Sequence, residues 1–98
     1  MSELKFHPDI SSEIKNTYDW YQKQADGLGD DFLYELELSF QAIIELPNTW
    51  PKLKKSFRRY ILSRFPFSII YKKSTNAIYV IAIMHNRRTP SYWLSRLL

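Results

Sequence analysis

Cysteine is absent from the 98 residues of this chain. Without it there can be no disulfide framework, thiol nucleophile or thiolate metal site, and a reducing cytoplasm is the natural setting. Glycine is nearly as scarce, with only Gly27 and Gly29 present, so no glycine-rich phosphate loop can be drawn. There is no HExxH helix and no Cys/His cluster, which leaves nucleotide hydrolysis and metal catalysis unsupported, and no metal or cofactor is expected. Long apolar runs are also lacking. The strongest, Ala77 to Met84, is far too short to span a bilayer, and Met1-Ser2-Glu3-Leu4-Lys5 does not open an export signal, so no membrane association is expected.

The most informative shortage is of negative charge in the second half. All 10 acidic residues lie at or before Glu45, while 11 of the 14 Lys and Arg lie after it. Residues 1–45 therefore carry a net −7 and residues 46–98 a net +11, a separation hidden inside the overall +4. Such a field attracts polyanions, whether nucleic acid or an acidic protein segment. Packing of the acidic half over the basic half would neutralise part of it.

What is present fits one domain over residues 1–98, since 45% hydrophobic and 16% aromatic content can fill a single core. Leu4-Lys5-Phe6 reads as an edge strand, and His7-Pro8-Asp9 as a helix start. Ile10, Ile14, Tyr18, Tyr21 and Ala25 recur at helical spacing over about 9–25. Gly27 and Gly29 break that helix, Asp30 and Asp31 charge the start of the next, Phe32, Leu36, Phe40, Ile43 and Ile44 form its stripe, and Pro47 ends it. Two helices joined so closely should form an antiparallel hairpin. Arg58 to Ser63, Phe67 to Lys73 and Ala77 to His85 then read as strands, the last being the most apolar and therefore central. The fold class expected is α+β, in the order β-α-α-β-β-β, with the helical hairpin on one face of a twisted antiparallel sheet. Along the last strand, strict alternation would put Ile81 and Ile83 on one face and Val80 and Ala82 on the other.

Candidate chemistry gathers late in the chain. His85 closes the central strand just before Asn86-Arg87-Arg88, where a side chain can be held rigidly and still reach solvent. With Tyr92 and the cations Arg58, Arg59, Arg64, Arg87 and Arg88 it supplies the residue types for metal-independent RNA cleavage: an acid and base in His85 and Tyr92, and positive charge for the phosphate. The same arginines equally suit a solvated rim or a target-binding surface. Trp20 lies off the apolar stripe of its helix, and Trp93 sits near the chain's end. Both are candidates for partner binding.

Taken together, FHPD near the start, DWYQKQADGLGDDFLYELE across the helical turn, LPNTWP after it, RRYILSRFPFSIIY through two strands and IMHNRRTPSYW at the end resemble the RelE/ParE toxin superfamily. The likeness runs from about Phe6 to Trp93 and is closest to the ParE-like branch of plasmid stabilisation proteins. It implies the toxin of a bacterial type II toxin–antitoxin system, cytoplasmic and silenced by a cognate antitoxin. RelE-like members cut mRNA on the ribosome, and ParE-like members act on DNA gyrase. The ribonucleases usually carry an arginine three residues before the tyrosine that ends FSIIY, where this chain has Ser68, so a ParE-like, non-nucleolytic action is the expectation. A RelE-like mRNA endonuclease is the alternative, and a non-toxic nucleic-acid or protein-binding module is the third class.

Overall fold

The computed structural model describes residues 3–54, 56–88, 91–94 and 96, with the side chains of Ser91 and Tyr92 excepted. Strand β1 (Glu3–Phe6) leads into α1 (Ile10–Gln24) and α2 (Leu28–Glu45), followed by β2 (Phe57–Ile61), β3 (Phe67–Lys73), β4 (Ala77–His85) and a short helix α3 (Ser91–Leu94). The sheet runs β1-β4-β3-β2, so the most apolar strand is indeed internal and β1 is an edge.

Two short turns force β2, β3 and β4 to alternate in direction, and they pair antiparallel. β1 is instead parallel to β4, with Leu4 opposite Ile78 and Phe6 opposite Val80. The wholly antiparallel sheet read from the sequence is therefore corrected to a mixed one. No tight turn joins β1 to the other strands. The helical hairpin intervenes, and a connection of that length leaves either direction open.

At the hairpin turn Gly27 takes φ 83°, the left-handed conformation that a side chain would strain. Gly29 serves a different purpose, because the two helices nearly touch there. A Cβ at this position would lie 2.6 Å from Gln22 Cγ and 2.7 Å from the Tyr18 carbonyl oxygen, and the Gly29 N–H donates to Gln22 Oε1 at 2.7 Å. Gln22 could swing aside only by giving up that bond, and the carbonyl belongs to the α1 backbone. Gly29→Ala is thus expected to cost about 1–3 kcal/mol through overpacking, despite alanine's better helix propensity. Urea denaturation checks this; a more stable variant would show that the helices can separate freely.

Below the hairpin lies the main core, where Ile10, Tyr21, Phe32, Leu36 and Ile43 from the helices meet Ile69, Tyr71, Ile78, Val80 and Ile83 from the sheet. The second sheet face is not bare. Phe57, Ile70, Ala82, Met84 and Trp93 form a smaller cluster there, flanked by Leu53, Ile81 and Leu94.

One irregularity decides which residue faces which cluster. Ile69 pairs with Ile83 and Ile70 with Ala82, but Tyr71 pairs with Val80, so β4 has one residue more than β3 at this point. This β-bulge interrupts the alternation. Val80 and Ile83 both join the helix-side core, while Ile81 and Ala82 both belong to the second face. Strict alternation, which pairs Ile81 with Ile83 and Val80 with Ala82, is overturned by this extra residue.

β1 ends opposite Val80, leaving the rest of that β4 edge without a neighbouring strand. Side chains take its place. Glu13 of α1 accepts the Ile83 N–H at 3.1 Å through Oε1 and the Arg96 guanidinium at 2.5 Å through Oε2, and Arg96 donates to the Ile81 carbonyl at 2.9 Å.

Candidate functional site

The cations at the basic end do not converge on one point. Neighbouring strand residues point to opposite faces, so Arg58 and Arg59 are separated by the sheet itself. Arg58 is opposite Tyr71 in register, on the helix side, and its Nη1 donates to the Trp50 carbonyl at 2.6 Å. There it opposes the upward shift that burial gives the Tyr71 phenol, whose hydroxyl donates to the Pro47 carbonyl at 2.6 Å. Arg59 is opposite Ile70, on the second face.

Arg59 is held in a closed polar triangle. Its Nε donates to Ser68 Oγ at 2.9 Å, its Nη2 donates to Asn86 Oδ1 at 3.1 Å, and the Ser68 hydroxyl donates to the same Asn86 oxygen at 2.5 Å. Ser68 is completely buried, so its hydroxyl needs these partners. The serine that stands in place of an arginine thus orients the neighbouring strand's arginine. Neither Ser68 nor Asn86 was identifiable from the sequence as part of this contact, because the register of three strand segments brings them together.

Arg64 lies in the β2–β3 turn and leans towards α2, 3.5 Å from Asp31, with its guanidinium 5.6 Å from the Phe65 ring centre. The turn itself is tied to the same helix, since the Glu35 carboxylate accepts the backbone N–H groups of Ser63 and Arg64. Arg87 and Arg88 follow β4 and are exposed. Among the described residues no carboxylate lies within ion-pair distance of Arg58, Arg59 or Arg87.

His85 and Trp20, proposed from the sequence for different roles, are brought to one place. Together with Asn16, Thr17, Tyr21, Pro66 and Phe67 they line a cleft of about 340 Å³ between α1 and the ends of β3 and β4. Its wall is a series of rings. Trp20 meets Tyr21 at 5.1 Å between centres, Tyr21 meets Phe67 at 6.4 Å, and Phe67 meets His85 at 5.1 Å, all edge to face. Trp20 is 58% exposed, as its position off the helical stripe suggests.

Within the cleft, His85 Nδ1 accepts the Arg87 N–H at 3.1 Å, so in the neutral ring Nε2 holds the proton and acts as a donor. Burial pushes the Tyr21 phenol up, so it remains protonated at neutral pH. Neither group is arranged as an available base in this conformation.

Trp93 is fully buried in the second-face cluster, 5.8 Å from the Phe57 ring centre, and its ring offers no surface to a partner in this chain. Its indole N–H has no acceptor among the described residues. Tyr92 belongs to α3, and its side chain lies outside the described residues. Among the described residues no three His, Asp or Glu side chains are grouped to hold a metal ion, and no helix is long and apolar enough to cross a membrane.

A four-stranded mixed sheet with a helical hairpin on one face and exposed arginines after β4 defines a small α+β protein. Residues 4–90 match the ParE toxin family, described as the ParE toxin of the type II toxin–antitoxin system parDE, and the chain belongs to that family. It is similar to toxin ParE2 of Mycobacterium tuberculosis, strains CDC 1551 / Oshkosh and H37Rv, at 26% identity over 92 residues, covering 90% of this chain and 85% of each relative. The fold is also that of a solved chain from the chromosomal ParDE toxin–antitoxin system of P. aeruginosa, with a TM-score of 0.69 at 17% identity, covering 87% of this chain and 96% of that one. Family membership makes this chain a type II toxin and implies a cognate antitoxin as its partner.

Proposed function

We propose that this toxin arrests growth in the cytoplasm by a ParE-like, non-nucleolytic action on DNA gyrase. The observation that carries this reading is the Arg59–Ser68–Asn86 triangle. An mRNA endonuclease needs cations aimed at a developing phosphorane and a proton donor and acceptor on either side of it. Here Ser68 occupies the strand position from which a second arginine would reach the same face, and the hydroxyl directs Arg59 towards Asn86 instead. His85 gives its Nδ1 lone pair to its own turn and stands against Phe67 on the helix side of the sheet. Arg59 and His85 therefore do not share a face. Contacts made through Arg87 and Arg88 to a protein target require no such convergence.

The two mechanisms respond differently to conservative substitutions. His85→Gln and Tyr92→Phe remove titration with little change of shape, and general acid–base assistance is typically worth about 10²–10⁴-fold. Under the gyrase reading both variants still arrest growth, whereas joint reversal to Arg87→Glu and Arg88→Glu abolishes arrest by spoiling a binding surface. Inducible expression, with plasmid supercoiling, protein synthesis and primer-extension mapping of mRNA followed in parallel, distinguishes them. Codon-linked cleavage by the parent chain, lost in His85→Gln or Tyr92→Phe, would establish the RelE-like endonuclease instead.

A further inference from the structure

The sheet face turned away from the helices carries one row of side chains that crosses all four strands. Lys5 of β1 is opposite Tyr79 of β4, Tyr79 is opposite Lys72 of β3, and Lys72 is opposite Phe57 of β2. Opposed residues share a face, and Phe57 belongs to the second-face cluster, so the whole row lies on that side. Cation and ring alternate along it. Lys5 Nζ is 5.7 Å from the centre of the Tyr79 ring, and Lys72 Nζ is 5.7 Å from that of Phe57. Neighbouring strands are about 4.8 Å apart, so Lys5 and Lys72 flank the tyrosine with roughly 10 Å between their backbones.

One end of the row is closed and the rest is open. Phe57 is 6% exposed and packs against Trp93, whereas Tyr79 keeps 41% of its surface and both lysines are exposed. Exposed cross-strand pairs of this kind add little to stability, which leaves the solvent-facing ring without a structural reason. Among the described residues neither lysine has a carboxylate within ion-pair distance. Glu3 is the only acid in the four strands; it stands two residues before Lys5 on the same side of β1 and pairs with neither lysine. The neighbouring charge is therefore mainly positive. An exposed ring stacks on any base, and cations on either side of it hold the phosphates that flank that base. Bases inside a duplex are stacked on one another and cannot lie on a flat sheet, so the fitting ligand is a single strand.

We propose that the Lys5–Tyr79–Lys72 row binds single-stranded nucleic acid, with one base stacked on Tyr79 and the adjoining phosphates on the two lysines. The site requires no proton transfer and is distinct from the Arg59–Ser68–Asn86 triangle, because Lys72 lies four residues beyond Ser68 along β3. It gives the toxin a hold on exposed strands and does not depend on which cellular target the toxin inactivates.

The test uses the full-length toxin separated from its antitoxin. Fluorescence anisotropy reads its binding to end-labelled thymine and uracil homopolymers of about 12 nucleotides and to a duplex of the same length. Tyr79→Leu keeps bulk but removes the aromatic face, and Tyr79→Phe keeps that face. Lys5→Gln and Lys72→Gln each remove one charge from the row, while Lys23→Gln removes the same charge from the exposed side of α1 and serves as the control. Melting transitions check the folding of each variant. The parent is expected to bind single strands more tightly than duplex, with affinity lowered about 5–100-fold in Tyr79→Leu and less than about threefold in Tyr79→Phe. Lys5→Gln and Lys72→Gln should each reduce the slope of log affinity against log salt by about 0.7, the release expected for one phosphate contact on a single strand, with Lys23→Gln leaving it unchanged. A preference between thymine and uracil strands identifies DNA or RNA as the ligand, and either supports the site. Parent affinity in Tyr79→Leu, or a duplex bound as tightly as a single strand, would overturn the proposal. So would an equal loss of salt slope in Lys23→Gln, which would mean attraction to overall charge alone. Plasmid supercoiling tests the gyrase reading separately, so failure there leaves the binding result standing by itself.

Discussion

Alanine at Ile83 is expected to destabilise the protein by about 2–5 kcal/mol, whereas alanine at Ile81, two residues earlier, should cost only a fraction of that. Simple alternation would treat the two as equivalent. The bulge makes them different: Ile83 is 4% exposed and packs into the core beneath the helices, while Ile81 is half-buried at the margin of the second-face cluster. Removing the Ile83 side chain opens a cavity between α1, β3 and β4, which rigid neighbours cannot close. For a domain this small, a loss at the upper end of that range approaches the whole folding free energy. Toxicity would fall with the folded population. Equilibrium unfolding of the two single variants decides the matter. Equal losses at Ile81 and Ile83 would mean that the strand alternates regularly in solution and that the extra residue is not accommodated at this point.

That distinction shows where the sequence is readable and where it stops. The boundaries of β3 and β4 and the break at Ser74-Thr75-Asn76 follow from β-branched runs interrupted by polar residues, and they match the structure. The helices follow from their stripes. The bulge does not, because Val80-Ile81-Ala82-Ile83-Met84 is apolar throughout and no polar residue marks which side faces water. The direction of β1 was equally silent, since a strand of four residues carries no signal for its partner's polarity.

Site residues divide along the same lines. Trp20 could be placed in solvent because a helix has a period, and a large residue off the stripe must be exposed. Trp93 could not be placed, because its burial depends on the final segment folding across the second sheet face. Arg58 and Arg59 were legible as a pair of cations, but grouping them in one site overlooked the period of two that sends them to opposite faces. The Arg59–Ser68–Asn86 triangle spans up to 27 positions in sequence and emerges only from strand register. Charge separation remained informative, because it sets the kind of partner regardless of these details. Acids crowd the helices, and β2, β3, β4 and the loops joining them carry cations without carboxylates of their own.

The second large effect concerns the edge of β4 that β1 leaves uncovered. Glu13 and Arg96 have side-chain exposures of only 17% and 11%, and Asp9 adds a weaker contact to Arg96 at 3.7 Å. Glu13→Ala removes one acceptor from both the Ile83 N–H and the Arg96 guanidinium, in a place where water cannot fully replace it. Breaking a fully buried pair from one side costs about 3–5 kcal/mol, and the loss here should be smaller, because the pair is only partly buried and Arg96 keeps its contact to Asp9. Glu13→Gln should be milder, since the amide oxygen can still accept from Ile83 while the attraction to Arg96 is lost. Arg96→Met removes the charge but keeps an apolar stem over the strand edge, and combined with Glu13→Gln it leaves neither group ionised. The double variant is therefore expected to be more stable than the sum of the two single losses predicts, with a coupling of about 1–3 kcal/mol in a double-mutant cycle. Protection of the Ile83 amide against hydrogen exchange should fall in Glu13→Ala before global unfolding sets in, because its bond to the helix is the one removed. Strict additivity in the cycle, with Ile83 protection unchanged, would show that the Glu13–Arg96 pair does not secure this strand edge.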